Sequence, residues 1–174
     1  MDNTLMDTLK ELDKEYGGFS NIQDGVYAVE LGANTKRVDN NPDRFRLGWK
    51  VVWGEYKGRE IGDFVGWFGP DDHITKINRG VFTQCIKALS LVADEEQRQS
   101  LATMVGTLRA LSVPSAENKR AAVDAIETCF KSLIGIRLNV TVFTNKKGYQ
   151  NPHYLNKGNL IDAPSGIAAE SVSV

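Results

Sequence analysis

The sequence predicts a mainly β fold with helices (α+β), and three observations carry that prediction. Apolar and polar residues alternate in short runs before residue 68 and again after residue 137. Between them, residues 73–133 carry apolar side chains at helical spacing. Turn-forming clusters, TKRVDNNPD, GEYKG and NKKG, separate the runs.

The elements follow in order. Residues 3–16 place Leu5, Leu9 and Leu12 on one helical face among acids, an amphipathic helix that needs a surface to dock on. YGGFSN breaks it. GVYAVELGA at 25–33 is a first strand, with Tyr27, Val29 and Leu31 opposite Val26, Ala28 and Glu30. The second strand, RFRLGWKVVW at 44–53, alternates cleanly. Phe45, Leu47, Trp49, Val51 and Trp53 fall on the core side, with Arg44, Arg46 and Lys50 opposite. A third strand, REIGDFVGWF at 59–68, contains Gly62 and Gly66, which leave its facing open and permit a bulge.

GPDD at 69–72 reads as a helix start with a capping Asp. Ile74, Ile77, Val81, Cys85, Leu89 and Val92 form the apolar stripe of a helix over 73–93. Two more helices follow. Residues 94–111 bring together Leu101, Met104, Val105 and Leu108; residues 115–133, capped by Ser115, present Ala122, Ile126, Phe130 and Leu133. RLNVTVF at 137–143 resumes the strand pattern, with Leu138, Val140 and Val142 inward and Phe143 outward. A turn at NKKG leads to a last strand over about 149–155, which Pro152 confines to an edge.

Three strands, a helical connection and two strands is the order of a five-stranded Greek-key barrel of the OB type. One helix would plug the barrel, and residues 94–133 would be a helical insertion between strands three and four. The expected organisation is one domain over 1–160, with 161–174 a flexible tail of small and polar residues.

A chain of 174 residues, 41% apolar and 25% charged, is ordinary for one globular domain. Its net charge of -1 excludes a uniformly basic coat for nucleic acid. The charges are nevertheless segregated. Residues 1–30 hold seven acids against Lys10 and Lys14; residues 36–59 hold seven bases against Asp39, Asp43 and Glu55. Cys85 and Cys129 each lie on the apolar side of a helix, as buried free thiols would in a reducing compartment. The N-terminus lacks the pattern of a signal peptide, and no apolar run is long enough to span a membrane. A cytoplasmic location is expected.

No catalytic motif stands out. GxxxxGK[ST] and GxGxxG are missing, as is GxSxG, and His73 and His153 have no metal-ligand spacing. His153 reads as a surface residue of its strand. Asp39, Glu55 and Asp63 are the acids a magnesium-dependent nuclease would have to use. The stronger signal is convergence of cations. On an OB-type barrel, strands two and three and two flanking connections form the binding surface. Arg44, Arg46 and Lys50 lie on strand two, Lys36 and Arg37 in the first connection, Lys146 and Lys147 in the last turn, and Lys57 and Arg59 at the entry to strand three. Among the aromatics of these regions, Trp67, Phe143, Tyr149 and Tyr154 are candidate stacking surfaces for bases.

Three stretches also carry a resemblance. Asp24, Gly25 and Tyr27 open the first; Trp49, Val51 and Gly54 through Arg59 (GEYKGR), followed by Ile61, Asp63 and Phe64, form the second. Leu133, Ile134, Gly135, Leu138, Val140, Val142, Gly148, Tyr149 and Asn151 form the third. In these motifs the chain resembles a family of phage-encoded single-stranded DNA-binding proteins once catalogued as a domain of unknown function. The resemblance implies an OB-type fold and sequence-independent single-stranded DNA binding in phage replication or recombination. It implies no cofactor, no metal and no catalysis, with phage or host replication and recombination proteins as further partners. A second expectation of another class is an interaction module that docks on such a partner through the helical insertion. Oligomeric state is left open.

Overall fold

A computed structural model of the chain describes residues 22–154, together with positions 4, 5, 7–9 and 12 of an N-terminal helical segment. The expected tail at 161–174 lies outside the described residues. The fold is mixed α+β, a curled antiparallel sheet forming a half-barrel with helices packed against it.

The strands are β1 (Gly25–Leu31), β2 (Lys36–Arg37), β3 (Phe45–Val51), β4 (Glu60–Val65), β5 (Arg137–Thr144) and β6 (Gln150–His153). β2 is an addition to the five expected from sequence: Lys36 and Arg37 leave the turn-rich connection to pair with Arg46 and Phe45. Along one path the order is β2-β3-β1-β5-β6, and β4 pairs with the other edge of β3. β3 is therefore central, holding β1 and β2 on one side and the whole of β4 on the other.

The helices are α1 (Asp72–Val92), α2 (Glu95–Ala110) and α3 (Ala116–Ser132). Their starts are those the sequence signals. Asp71, Asp94 and Ser115 each accept a hydrogen bond from a first-turn amide, and Asp94 with Gln97 completes a capping box.

The alternation of β3 holds at every residue of the strand. Phe45, Leu47, Trp49 and Val51 are sealed in the core, while Arg46 is half-buried and Lys50 exposed on the outer face. Trp53 lies beyond the strand end and is only half-buried. Phe45 from the sheet meets Phe130 of α3, which stacks on Phe82 of α1 at 6.0 Å, so one aromatic cluster ties both helices to the sheet. Each such large side chain, fully buried, contributes roughly 1.5–3 kcal/mol.

Two apolar stripes differ from expectation. α1 turns Phe82, Cys85, Ala88 and Leu89 to the core and leaves Ile77 and Val81 about half exposed. Phe82 is the larger side chain, and its burial rotates the helix by one position. Leu5, Leu9 and Leu12 are also exposed, where their pattern calls for burial against a surface. Cys85 and Cys129 are buried free thiols, and burial pushes both thiols up, Cys129 to about 11.

Candidate nucleic-acid interface

The outer face of β3 answers why its cations come without acids: the acids stand on neighbouring strands. Arg46 donates to Glu60 of β4 at 2.5 Å and to the Asn34 carbonyl at 3.1 Å. It lies flat over Gly48 and Gly62, which face each other across β3 and β4. A Cβ on Gly48 would sit 3.2 Å from Arg46 Nη1, and one on Gly62 would sit 3.1 Å from Nη2. The two glycines thus form the floor on which the guanidinium rests. Lys50 is paired in register with Glu30 on one side and Glu60 on the other, and Glu30 also accepts from Arg137 at 2.7 Å. This face is a cross-strand charge ladder, in which opposite charges neighbour one another.

Arg37 is committed elsewhere. It donates to Glu127 at 3.0 Å and to Asp124, fastening β2 to α3. Those hydrogen bonds hold its guanidinium above the ordinary arginine range and pull Glu127 below the usual carboxylate range. Lys36 is exposed on the same short strand. Lys57 is exposed in the β3–β4 turn, its ammonium 6.0 Å from the Trp53 ring, and Arg59 is half-buried at the end of that turn. Positive φ at Gly54 and Gly58 closes the turn, as only glycine adopts such values readily.

Lys146 and Lys147 stand exposed in the β5–β6 turn. That turn is rigidly built: the Asn145 side chain accepts from the backbone amides of Lys147 and Tyr149 at 2.9 and 3.0 Å. Tyr149 is 67% exposed beside the lysines. Phe143 points outward from β5, 47% exposed, and meets His153 of β6 edge-on at 4.9 Å. His153 is exposed, as its strand position suggests.

Two of the expected stacking aromatics lie elsewhere. Tyr154 is 3% exposed and belongs to the core. Its hydroxyl accepts from Trp49 Nε1 at 2.9 Å and donates to Asp63, so it locks the end of β6 to β3 and β4. A phenol can be buried at little cost when its hydroxyl has both partners, and here it does. Trp67 is half-buried; its indole N–H donates to the Leu111 carbonyl at 3.1 Å, and the Arg79 guanidinium covers its ring at 4.3 Å. Neither ring presents a free face for a base.

A residue outside the expected set takes their place. Phe64, opposite Arg46 in register, projects from the outer face of β4 and is 49% exposed. The signal lay in the sequence: Ile61, Asp63 and Val65 alternate with it, and all three are buried.

β4 and β6 lie side by side, yet among the described residues β4 pairs only with β3 and β6 only with β5. The Tyr154–Asp63 bond bridges this seam from within. Outside it opens a pocket of about 510 Å³ between β4, β6 and α1, lined by Arg44, Phe64, Val81, Gln84, Asn151 and His153 among others. Burial pushes the Asp63 carboxyl up, with the Tyr154 hydrogen bond and the Arg44 charge opposing that shift. Asp63, one of the acids a magnesium site would need, is thus committed to the lock. Among the described residues, no three His, Cys, Asp or Glu side chains gather as metal ligands would. No helix among them is long and apolar enough to cross a membrane. Of the exposed large apolar side chains, Ile77, Val81 and Leu91 are on α1, and Val113 lies in the insertion, in the connection between α2 and α3.

The chain matches no protein-family model, and a search of characterised proteins returns no match.

Proposed function

We propose that this protein binds single-stranded DNA with little sequence preference, using an OB-like barrel surface centred on the β4–β6 seam. One observation carries the reading: Phe64 and Phe143 stand exposed on the outer side of a curled antiparallel sheet, Tyr149 stands exposed in the turn that carries Lys146 and Lys147, and Arg44 lines the seam pocket with Phe64. Flat apolar rings take the faces of unstacked bases and tolerate any sequence, while lysine and arginine follow the phosphates. The strand order and the side-by-side approach of β4 and β6 support the OB-like description.

In this reading the protein acts without a cofactor in the host cytoplasm, protecting single strands during phage replication or recombination. The motif resemblance supports that setting. Arg46 on β3 and Arg37 on β2 have acidic partners, whereas among the described residues Lys146 and Lys147 have none, which favours the turn over these two arginines.

The test is fluorescence anisotropy of labelled poly-dT titrated at several salt concentrations, with and without magnesium. Saturable binding that weakens with salt, with the oligonucleotide intact at the end, is the expected result. No binding at low salt defeats the reading, and loss of intact oligonucleotide with magnesium replaces it with a nuclease.

A further inference from the structure

We infer that the seam pocket seats one unstacked nucleobase of the bound strand, an inference that rests on the single-stranded DNA reading. Two features of the fold create the opening. β4 and β6 come together without a hydrogen-bonded ladder, and α1 is rotated so that Val81 faces out of the core. The resulting volume of about 510 Å³ lies within the roughly 300–1,000 Å³ of small-molecule pockets.

The lining has the chemistry of a base rather than of a phosphate. Phe64 and Val81, each about half exposed, offer an apolar wall against which a ring can lie. Gln84 and Asn151 bring side-chain amides, each with donors and an acceptor. An amide can turn either group toward a base edge, so the pair accepts purines and pyrimidines alike. His153 supplies a ring nitrogen on the β6 side, where it is already braced edge-on by Phe143. Arg44 is the one Lys or Arg of the lining, the cation available to the phosphate of a seated nucleotide. The floor is closed by the Tyr154–Asp63 lock.

The pocket interrupts the line of exposed rings. Phe64 stands on its β4 side, and Phe143 lies beyond His153 on the other. A strand crossing from β4 to β5 must pass over it, and a base turned into it would anchor the strand between two stacking surfaces.

The experiment compares labelled poly-dT with a deoxyribose-phosphate polymer of equal length that lacks bases. Wild type should prefer poly-dT, and Val81→Trp, which fills the pocket from an exposed position, should reduce that preference on the order of tenfold, the effect of one stacked base. The salt dependence should be unchanged, because every phosphate-facing cation is kept. If Val81→Trp does not fold, judged by circular dichroism, Gln84→Ala with Asn151→Ala decides by the same ratio. Retention of the wild-type preference overturns the pocket and leaves the DNA-binding reading standing. Failure of wild type to bind either polymer at low salt overturns both.

Discussion

Replacing Tyr154 with phenylalanine removes one oxygen, orphans the Trp49 indole and leaves the Asp63 carboxyl with its backbone bond from Phe64. Trp49 Nε1 loses its acceptor, and the Asp63 carboxyl loses its donor. Trp49 is sealed in the core, so water cannot reach its indole N–H without opening it, whereas Asp63 borders the seam pocket. The orphaned indole costs roughly 1–3 kcal/mol and the lost bond to Asp63 roughly 0.5–1.5 kcal/mol, so together they predict a loss of about 2–4 kcal/mol. That is a large share of the ~5–15 kcal/mol by which a domain is stable. At about 2–4 °C per kcal/mol for a chain of this size, Tm should fall on the order of 10 °C. Urea unfolding followed by tryptophan fluorescence measures the loss directly, since Trp49 reports on its own environment. Tyr149→Phe is the control, because Tyr149 is exposed and its hydroxyl should matter by less than ~0.5 kcal/mol. A Tyr154→Phe protein as stable as this control would refute the lock.

The Asp63→Asn variant keeps an acceptor for Tyr154 and removes the ionisable group. Burial raises the folded-state pKa of Asp63 above its unfolded value of about 3.9, so the folded chain binds more protons between the two values. Its contribution to stability therefore falls as pH rises through that window, and the variant should gain on wild type from about pH 4 upward in urea melts taken across pH. Arg37→Gln should cost at most about 1 kcal/mol, because its ion pairs with Asp124 and Glu127 are largely exposed and solvent-screened. It should leave poly-dT affinity unchanged within twofold. Lys146→Gln with Lys147→Gln should instead weaken binding and reduce the slope of log K against log salt by about 1.4, roughly 0.7 for each phosphate left unneutralised on a single strand. Gly66→Ala should destabilise by about 1–3 kcal/mol in urea unfolding, since the new Cβ would lie 2.8 Å from the Asp43 backbone oxygen.

What the sequence discloses and what it withholds divide along a physical line. Period-two alternation places Phe45, Leu47, Trp49 and Val51 inside because a strand has only two faces and one of them is uniformly apolar. Caps at Asp71, Asp94 and Ser115 are readable because a first-turn amide needs a side-chain acceptor within three residues. Both are local facts. The stripe of α1 is not, because Ile77 and Val81 fit a helical period as well as Phe82 does, and only packing against Phe130 of α3 decides between them. β2 escapes the sequence for a similar reason: two residues in a turn-rich connection form a strand only because β3 offers them an unpaired edge.

The site shows the same divide in its charges. A cation's position on a strand face is local, but whether it is free depends on what stands across from it. Arg46 finds Glu60 at a separation of 14 residues, and Arg37 finds Glu127 at 90. Tyr154 finds Trp49 at 105 and Asp63 at 91. Each of these partners comes from a different strand or helix, so no short window of the chain contains the pair. Lys146 and Lys147 escape this because their turn is closed by Asn145, two residues from Lys147, through backbone bonds that leave the ammonium groups out of the network. A short turn with its own backbone closure presents its cations without needing acids from elsewhere in the fold. A central strand, flanked on both edges, balances its charges against its neighbours or bears an uncompensated repulsion across each register pair. For that reason the seam and the β5–β6 turn, rather than β3, are where an anionic strand would find charge still available.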